Sequence, residues 1–329
     1  MSKSNILPVA VACWMVAGAS AVSAQEAVKN FPNRPARIIV GFAPGGGVDM
    51  AARLVGQALG DLWGSNVVIE NRPGAAGNIG TELTAKAAPD GYTMMLCQIA
   101  SHAITPARYK NLTYNHITDF SFLSRVGGIP NVLVAHPSLP ARTLQEFIAH
   151  AKANPGKLTY GSSGVGASPH LSIEWLKMLT GINIVHVPYK GAALALADVM
   201  GGQIPLSTGN LPGGLLSAIK AGRVRALGVT SATRNAKVPD VPTFAESGIK
   251  GYDVSSWYGI CAPKLPRPLE ARINADLVKV LSAGTLRNRL DEQGVEVISS
   301  TPEEFVAFVR AETAKWARVV QEAKLQATD

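Results

Sequence analysis

Arg37-Ile38-Ile39-Val40-Gly41-Phe42, followed at once by Ala43-Pro44-Gly45-Gly46-Gly47-Val48-Asp49, sets the frame for the whole chain. The first six of these residues, Arg37 to Phe42, read as a buried strand. From Val48 to Leu62 the apolar residues Ala51, Leu54, Val55, Ala58, Leu59 and Leu62 recur on one face, which reads as an amphipathic helix. Three consecutive glycines between strand and helix exceed what a tight turn at positive φ requires. Backbone N–H groups bared by glycine, at the positive end of a helix, suit a carboxylate or a phosphate. No Lys-Ser/Thr follows, so this is not a Walker loop, and the glycine spacing is wrong for a dinucleotide fingerprint. Asp49, in the first helical turn, is either a partner of the helix dipole or a residue that orders water at the site.

The same strand-loop-helix unit repeats outward from there. Val67 to Glu70 reads as a second strand, Gly80 to Ala87 as a helix and Tyr92 to Cys97 as a third strand. A new run opens near Val132-Leu133-Val134. The helix from Thr143 to Ala153 has Thr143 as N-cap and Glu146 at the capping-box position. Leu158 to Tyr160, Ile184 to Val187 and Ala226 to Val229 read as strands, with helices over Ser168 to Leu179 and Ala192 to Met200. After Pro239 and Pro242 the chain returns through Tyr252 to Ala262 and ends in helices from Leu269 to Ser282 and Pro302 to Ala323. Such alternation means α/β architecture, with parallel sheet covered by helices.

A second glycine-rich loop, Gly161-Ser162-Ser163-Gly164-Val165-Gly166-Ala167-Ser168-Pro169-His170, again joins a strand to a helix. Ser168 reads as the N-cap, with Pro169 at the first helical position. A nucleophile elbow needs G-x-S-x-G, and around Ser163 the last position is Val165. The six histidines, among them His102 and His170, form no H-E-x-x-H and no close ligand pair, and the cysteines lack C-x-x-C spacing. No metal and no cofactor is expected.

At the N-terminus Lys3 precedes an apolar stretch from Ile6 to Ala21, and Val22-Ser23-Ala24 has the small-x-small pattern of a cleavage site. Residues 1–24 therefore read as a signal peptide for export. Pro8 and Gly18 interrupt the stretch, which is short for a membrane span. Hydrophobic residues make up 47% of the sequence, enough for two domains with real cores, and the formal charge is +8. No dense basic run or aromatic-basic module accompanies that charge, so nucleic acid is not expected as a partner. Cys97 and Cys261 lie in apolar runs and read as buried thiols, with one long-range disulfide as the alternative in an oxidising compartment.

Five ordered motifs resemble a known family: Pro35 to Val40 leading into Pro44 to Asp49; Glu70-Asn71-Arg72-Pro73-Gly74-Ala75-Ala76-Gly77-Asn78-Ile79-Gly80; Ala88-Pro89-Asp90-Gly91-Tyr92-Thr93; His186-Val187-Pro188-Tyr189-Lys190-Gly191; and Val238-Pro239-Asp240-Val241-Pro242-Thr243. Together they are similar to the substrate-binding proteins of tripartite tricarboxylate transporters, the Bug-type receptors of the Gram-negative periplasm. The resemblance implies a type II periplasmic-binding-protein fold, two α/β lobes with a ligand cleft and two hinge crossings. It places lobe one at residues 25–127 plus 252–329 and lobe two at residues 128–251.

The resemblance further implies a receptor, not an enzyme, that captures a small carboxylate and delivers it to membrane permease subunits as a monomer. The grip on the ligand falls to Ala43, Pro44, Gly45, Gly46, Gly47 and Asp49 in lobe one, and to Ser162, Ser163, Gly164, Ala167, Ser168 and His170 in lobe two. Ser101 and His102 match a family stretch that borders the cleft. The family often carries Phe-Asp-Asn where this chain has Thr208-Gly209-Asn210, and often Thr at Ala167. Gly209 removes that charge and is expected to open space, so a plain or aromatic acid is expected rather than an amino acid. Two other readings stay open: a secreted hydrolase using Ser163 and His170, and a ligand sensor acting through a signalling partner.

Overall fold

The computed structural model describes residues 28–326, except 43, 46, 190, 212 and 213, and the side chain of Ala76 is also outside the description. The expected signal peptide, residues 1–24, and two expected ligand contacts, Ala43 and Gly46, therefore lie outside the described residues.

The first half is built as the alternation predicts. β1 (Ala36–Val40) leads into α1 (Gly47–Trp63), then β2 (Val67–Asn71), α2 (Asn78–Ala85) and β3 (Thr93–Gln98), with β1 central and parallel to both neighbours. α1 covers the sheet with Ala51, Leu54, Val55 and Leu59, all buried. A π-helical turn over Ala100–Ile104 runs on into the short α3 (Thr105–Arg108). β4 (Phe120–Ala135) then carries the chain across.

The second half contains α4 (Leu144–Ala153), β5 (Thr159–Ser162), α5 (Ser168–Thr180), β6 (Val185–Pro188), α6 (Ala192–Met200), β7 (Leu206–Asn210), α7 (Gly214–Lys220) and β8 (Arg225–Val229). β9 (Ser255–Pro263) returns to the first half, followed by α8 (Arg267–Ser282), α9 (Gly284–Glu292), β10 (Glu296–Val297) and α10 (Pro302–Glu322). The strand order is β2-β1-β3-β9-β4-β7-β5-β6, with β8 and β10 pairing β4 off this path.

β4 belongs to both halves. Phe120 to Pro130 pair antiparallel with β9, and Asn131 to Ala135 pair with β7 and β8. This is the first chain crossing. The second runs from β8 to β9, and Thr230 ties the two together: its N–H donates to the Asn131 carbonyl at 2.9 Å, and its carbonyl accepts from Val254 N at 2.7 Å. Two α/β lobes thus share one curled sheet through two crossings. α10 packs against the π-turn and β4, and its Trp316 meets Trp175 of α5 edge-on, with centroids 6.3 Å apart, so it also touches the second lobe.

Several expectations needed correction. The strand near Val132 is much longer than its apolar core: it extends back to Phe120 through Gly127, Gly128 and Pro130, residue types that weaken strands. Gly127 is required there: a Cβ would stand 2.3 Å from the Glu296 carbonyl of β10. β7, α7, α9 and the π-turn carry no clear apolar period and are not legible in the sequence. The Thr143 cap is present, accepting from Glu146 N at 3.1 Å, but the Glu146 carboxylate accepts from Arg142 N rather than closing the box on Thr143. A full capping box does occur at α10, between Thr301 and Glu304. Among the described residues no helix is long and apolar enough to cross a membrane.

Candidate functional site

In open α/β sheets, ligands sit beyond the carboxyl ends of the parallel strands. Both glycine-rich loops are at such ends, one per lobe. In the first, Gly41 packs directly on the 75–77 turn, since a Cβ there would stand 2.8 Å from Gly77 Cα. Asn71, at the end of β2, donates through Nδ2 to the Phe42 carbonyl at 3.0 Å and to Asp49 Oδ1 at 2.9 Å. Asp49 is buried and also accepts from Gly45 N at 3.0 Å and from both ends of the Arg53 guanidinium at 2.9 and 3.0 Å. Burial by itself would raise its carboxyl pKa. The hydrogen bonds from Arg53, Gly45 N–H and Asn71 outweigh that and hold it below the usual carboxylate range. Asp49 is therefore neither a bare dipole partner nor free to order water: it latches the loop. The Gly45 N–H is engaged by that latch, and Pro44 and Gly45 are exposed.

In the second loop, helix α5 starts at Ser168, so the N-cap is Ala167, with extended φ and ψ, and Pro169 lies one position further in. Ser168 is released from capping. Its Oγ accepts from Asn131 Nδ2 at 3.0 Å. Asn210 Nδ2 donates to Asn131 Oδ1 and to Ser256 Oγ, both at 2.9 Å. Two histidines brace the loop from beneath. His170 Nδ1 accepts from Gly166 N at 3.1 Å, and His186 Nε2 meets Ser162 Oγ at 2.7 Å. Their rings stack with centroids 4.0 Å apart. Burial lowers His170 to about 3 and His186 to about 4, so both are neutral imidazoles at neutral pH. Arg108 of lobe one lies against this loop at Gly166, where a φ of +80° favours glycine.

Between the loops is a cavity of about 270 Å³. Lobe one contributes Phe42, Val48, Gln98, Ile99 and Ala100. Lobe two contributes Ser163, Gly164, Val165, Ala167, Ser168 and Pro169, and Asn210 and Ser256 close the hinge side. The structure thus gathers Ser163, Gly164, Ala167, Ser168 and Asn210 at one place, with the Ser168 N–H at the start of α5 without an intrahelical partner and Pro169 carrying no N–H at all.

Other candidates stand elsewhere. Ser101 and His102 are fully buried in lobe one. Ser101 Oγ donates to the Gln98 carbonyl, and the His102 ring lies edge-on to Phe120 and Phe122 with Nε2 3.7 Å from Cys261 Sγ. The cleft edge falls instead to Gln98, Ile99 and Ala100, because the π-turn winds the next residues into the core. Gly209 faces away from this cavity: a Cβ there would point at Ala192 and Leu215, at 3.5 and 3.8 Å. It borders a separate cavity of about 190 Å³ on the opposite face of β7, which shares Asn210 and is walled by Ala192, Ala193, Leu196 and Leu215. Ser162 and His170 act beneath the loop rather than on the cavity wall. With Nδ1 taken by Gly166 N–H and Nε2 3.8 Å from Glu174, His170 is oriented away from the role of base to Ser163. Cys97 and Cys261 are free buried thiols on the paired strands β3 and β9.

Residues 51–325 match the family profile described as the tripartite tricarboxylate transporter family receptor. The chain is 35% identical over 303 residues to protein BugT of Bordetella pertussis, covering 92% of this chain and 93% of that one. Among solved structures it is similar to a periplasmic transporter at 39% identity and TM-score 0.81, covering 90% of this chain and 99% of that one. R. palustris Rpa4515, solved with adipate, aligns at 35% identity and TM-score 0.81 over 90% of this chain and 99% of that one. MatC of Rhodopseudomonas palustris, with bound malate, aligns at 30% identity and TM-score 0.77 over 88% of this chain and all of that one. With the two lobes, the two crossings and a cavity between two helix-capped loops already in place, these matches show that the chain belongs to the tripartite tricarboxylate transporter receptors, a family of periplasmic solute-binding proteins.

Proposed function

We propose that this protein works in the periplasm, after removal of residues 1–24, as a monomeric receptor that closes on a small carboxylate and hands it to the membrane subunits of a tripartite transporter. The observation that carries the reading is the cavity between the lobes, whose wall combines the hydroxyls of Ser163, Ser168 and Ser256 with the first turn of α5. Such donors suit an acceptor-only carboxylate, and charge-assisted hydrogen bonds of this kind are about twice as strong as neutral ones. Adipate and malate in two related structures support the ligand class. Lobe one comprises residues 25–127 plus 252–329 and lobe two residues 128–251, and closure rotates one on the other about β4 and the β8–β9 connection. Only the difference in ligand affinity between open and closed states drives that rotation.

The ligand is a plain or aromatic acid rather than an amino acid. Ala167 places no hydroxyl at its point on the wall, and among the described residues no carboxylate lines the cavity between the lobes to meet an ammonium. A thermal-shift panel of mono-, di- and tricarboxylates and amino acids tests this. At least one acid should raise the melting temperature, and stabilisation by amino acids alone would refute it. In calorimetry, Ser163→Ala and Ser168→Ala should each weaken the responding acid about tenfold, the worth of one hydrogen bond to a charged group. Unchanged affinity in both would remove these serines from the site.

A further inference from the structure

We propose that Asn131, a buried amide outside the five motifs quoted above, is a specificity-determining residue: it orients the serine hydroxyls of the cavity so that the site takes an ionised carboxylate and rejects the matching carboxamide. This rests on the carboxylate reading above and deepens it.

Asn131 is fully buried and sits where β4 leaves its pairing with β9 and takes up β7 and β8. Its backbone is held on both sides, N–H donating to Thr230 Oγ1 at 2.9 Å and carbonyl accepting from Thr230 N at 2.9 Å. The side chain has little freedom to turn. An amide has one donor end and one acceptor end, so a chain of amides has a direction. Here Asn210 Nδ2 uses one hydrogen on Asn131 Oδ1 and the other on Ser256 Oγ, and Asn131 Nδ2 passes a hydrogen to Ser168 Oγ.

Ser168 and Ser256 thus each receive a hydrogen from behind. A hydroxyl that accepts from one side has its own hydrogen left to give. Among the described residues neither hydroxyl donates to a protein acceptor, and both serines line the cavity. The wall therefore presents donors. A carboxylate oxygen meets them as an acceptor, whereas the NH2 of a carboxamide meets them donor to donor. The same amide links the cavity to the hinge, because Asn131 lies on one crossing and Ser256 on the other.

Asn131→Asp is the decisive change, since it keeps the shape and reverses the direction. A carboxylate at this position accepts from Asn210 as before, but it draws the Ser168 hydrogen to itself and adds a like charge beside the ligand. Protein lacking residues 1–24 would be titrated by calorimetry with adipate, succinate and benzoate and with adipamide, succinamide and benzamide. The wild type should bind at least one acid more tightly than its amide. In Asn131→Asp the affinity for that acid should fall about 100-fold while that for the amide does not fall, so the acid-to-amide ratio collapses. Asn131→Ala, which leaves Ser168 unoriented, should lower the ratio about tenfold with cooperative melting retained, and it decides the matter if the aspartate variant does not fold. An unchanged ratio in the folded variants, or a parallel loss of acid and amide, would overturn the role given to Asn131 alone. A wild type that binds none of the acids would overturn the carboxylate reading itself.

Discussion

Asp49 illustrates how little a residue's chemistry says about its role until its neighbours are known. In the first helical turn an acid is favourable in any case. The fold adds three donors from different places, Gly45, Arg53 and Asn71, and so turns a local preference into a latch across the loop. Asp49→Ala leaves those donors without their acceptor in a largely buried site. It should lower unfolding free energy by about 2 kcal/mol, read from the urea midpoint, and should also weaken ligand binding. A midpoint shift with full ligand affinity would mean that the loop does not need the latch to bind.

At the scale of elements, the crossing strand and the last helix matter most. β9 passes so close beneath α10 that a Cβ on Gly259 would stand 2.1 Å from the fully buried Phe305 ring. Gly259→Ala must displace that ring and with it the packing of α10 on lobe one. A loss of about 1–3 kcal/mol is expected in thermal unfolding, as for other overpacked cores. An unaffected melting temperature would show that α10 shifts freely. β1, α1 and β3 were legible because their apolar periods match their burial. β4 was not, since the glycines and proline that suggest a loop are tolerated by close pairing with β9 and β10. β7 was missed because Ser207, Thr208 and Gly209 form no apolar run.

For the whole molecule, burial of neutral histidines in both lobes couples stability to pH. His102 and His170 are lowered to about 3 and His186 to about 4, chiefly by burial, from an ordinary 6.5. The unfolded chain takes up protons first as pH falls, so their contribution is complete above 6.5 and is lost between 6.5 and the folded values. The limiting slope is about 1.4 kcal/mol per pH unit for each. Asp49 adds a loss of the same sign at lower pH, as its depressed carboxyl is protonated. Calorimetric melting temperatures should be level from pH 7 to 8 and fall steeply from pH 6 to 4.5. A flat profile down to pH 4.5 would contradict the buried, neutral state of these rings.

The sequence by itself determined the α/β alternation, the two glycine-rich loops and, through five motifs, the family. These are properties of short stretches, where period, turn chemistry and motif spacing act locally. The tertiary structure alone decided which candidates line the cavity between the lobes. It wound Ser101 and His102 into the core, turned Gly209 to the far side of β7 and set His170 beneath its loop. It also brought Asn131, Asn210, Ser168 and Ser256, far apart in the chain, into one directed hydrogen-bond path. Which face of a strand looks into a cleft depends on its partners across the sheet, and no stretch of residues carries that information alone.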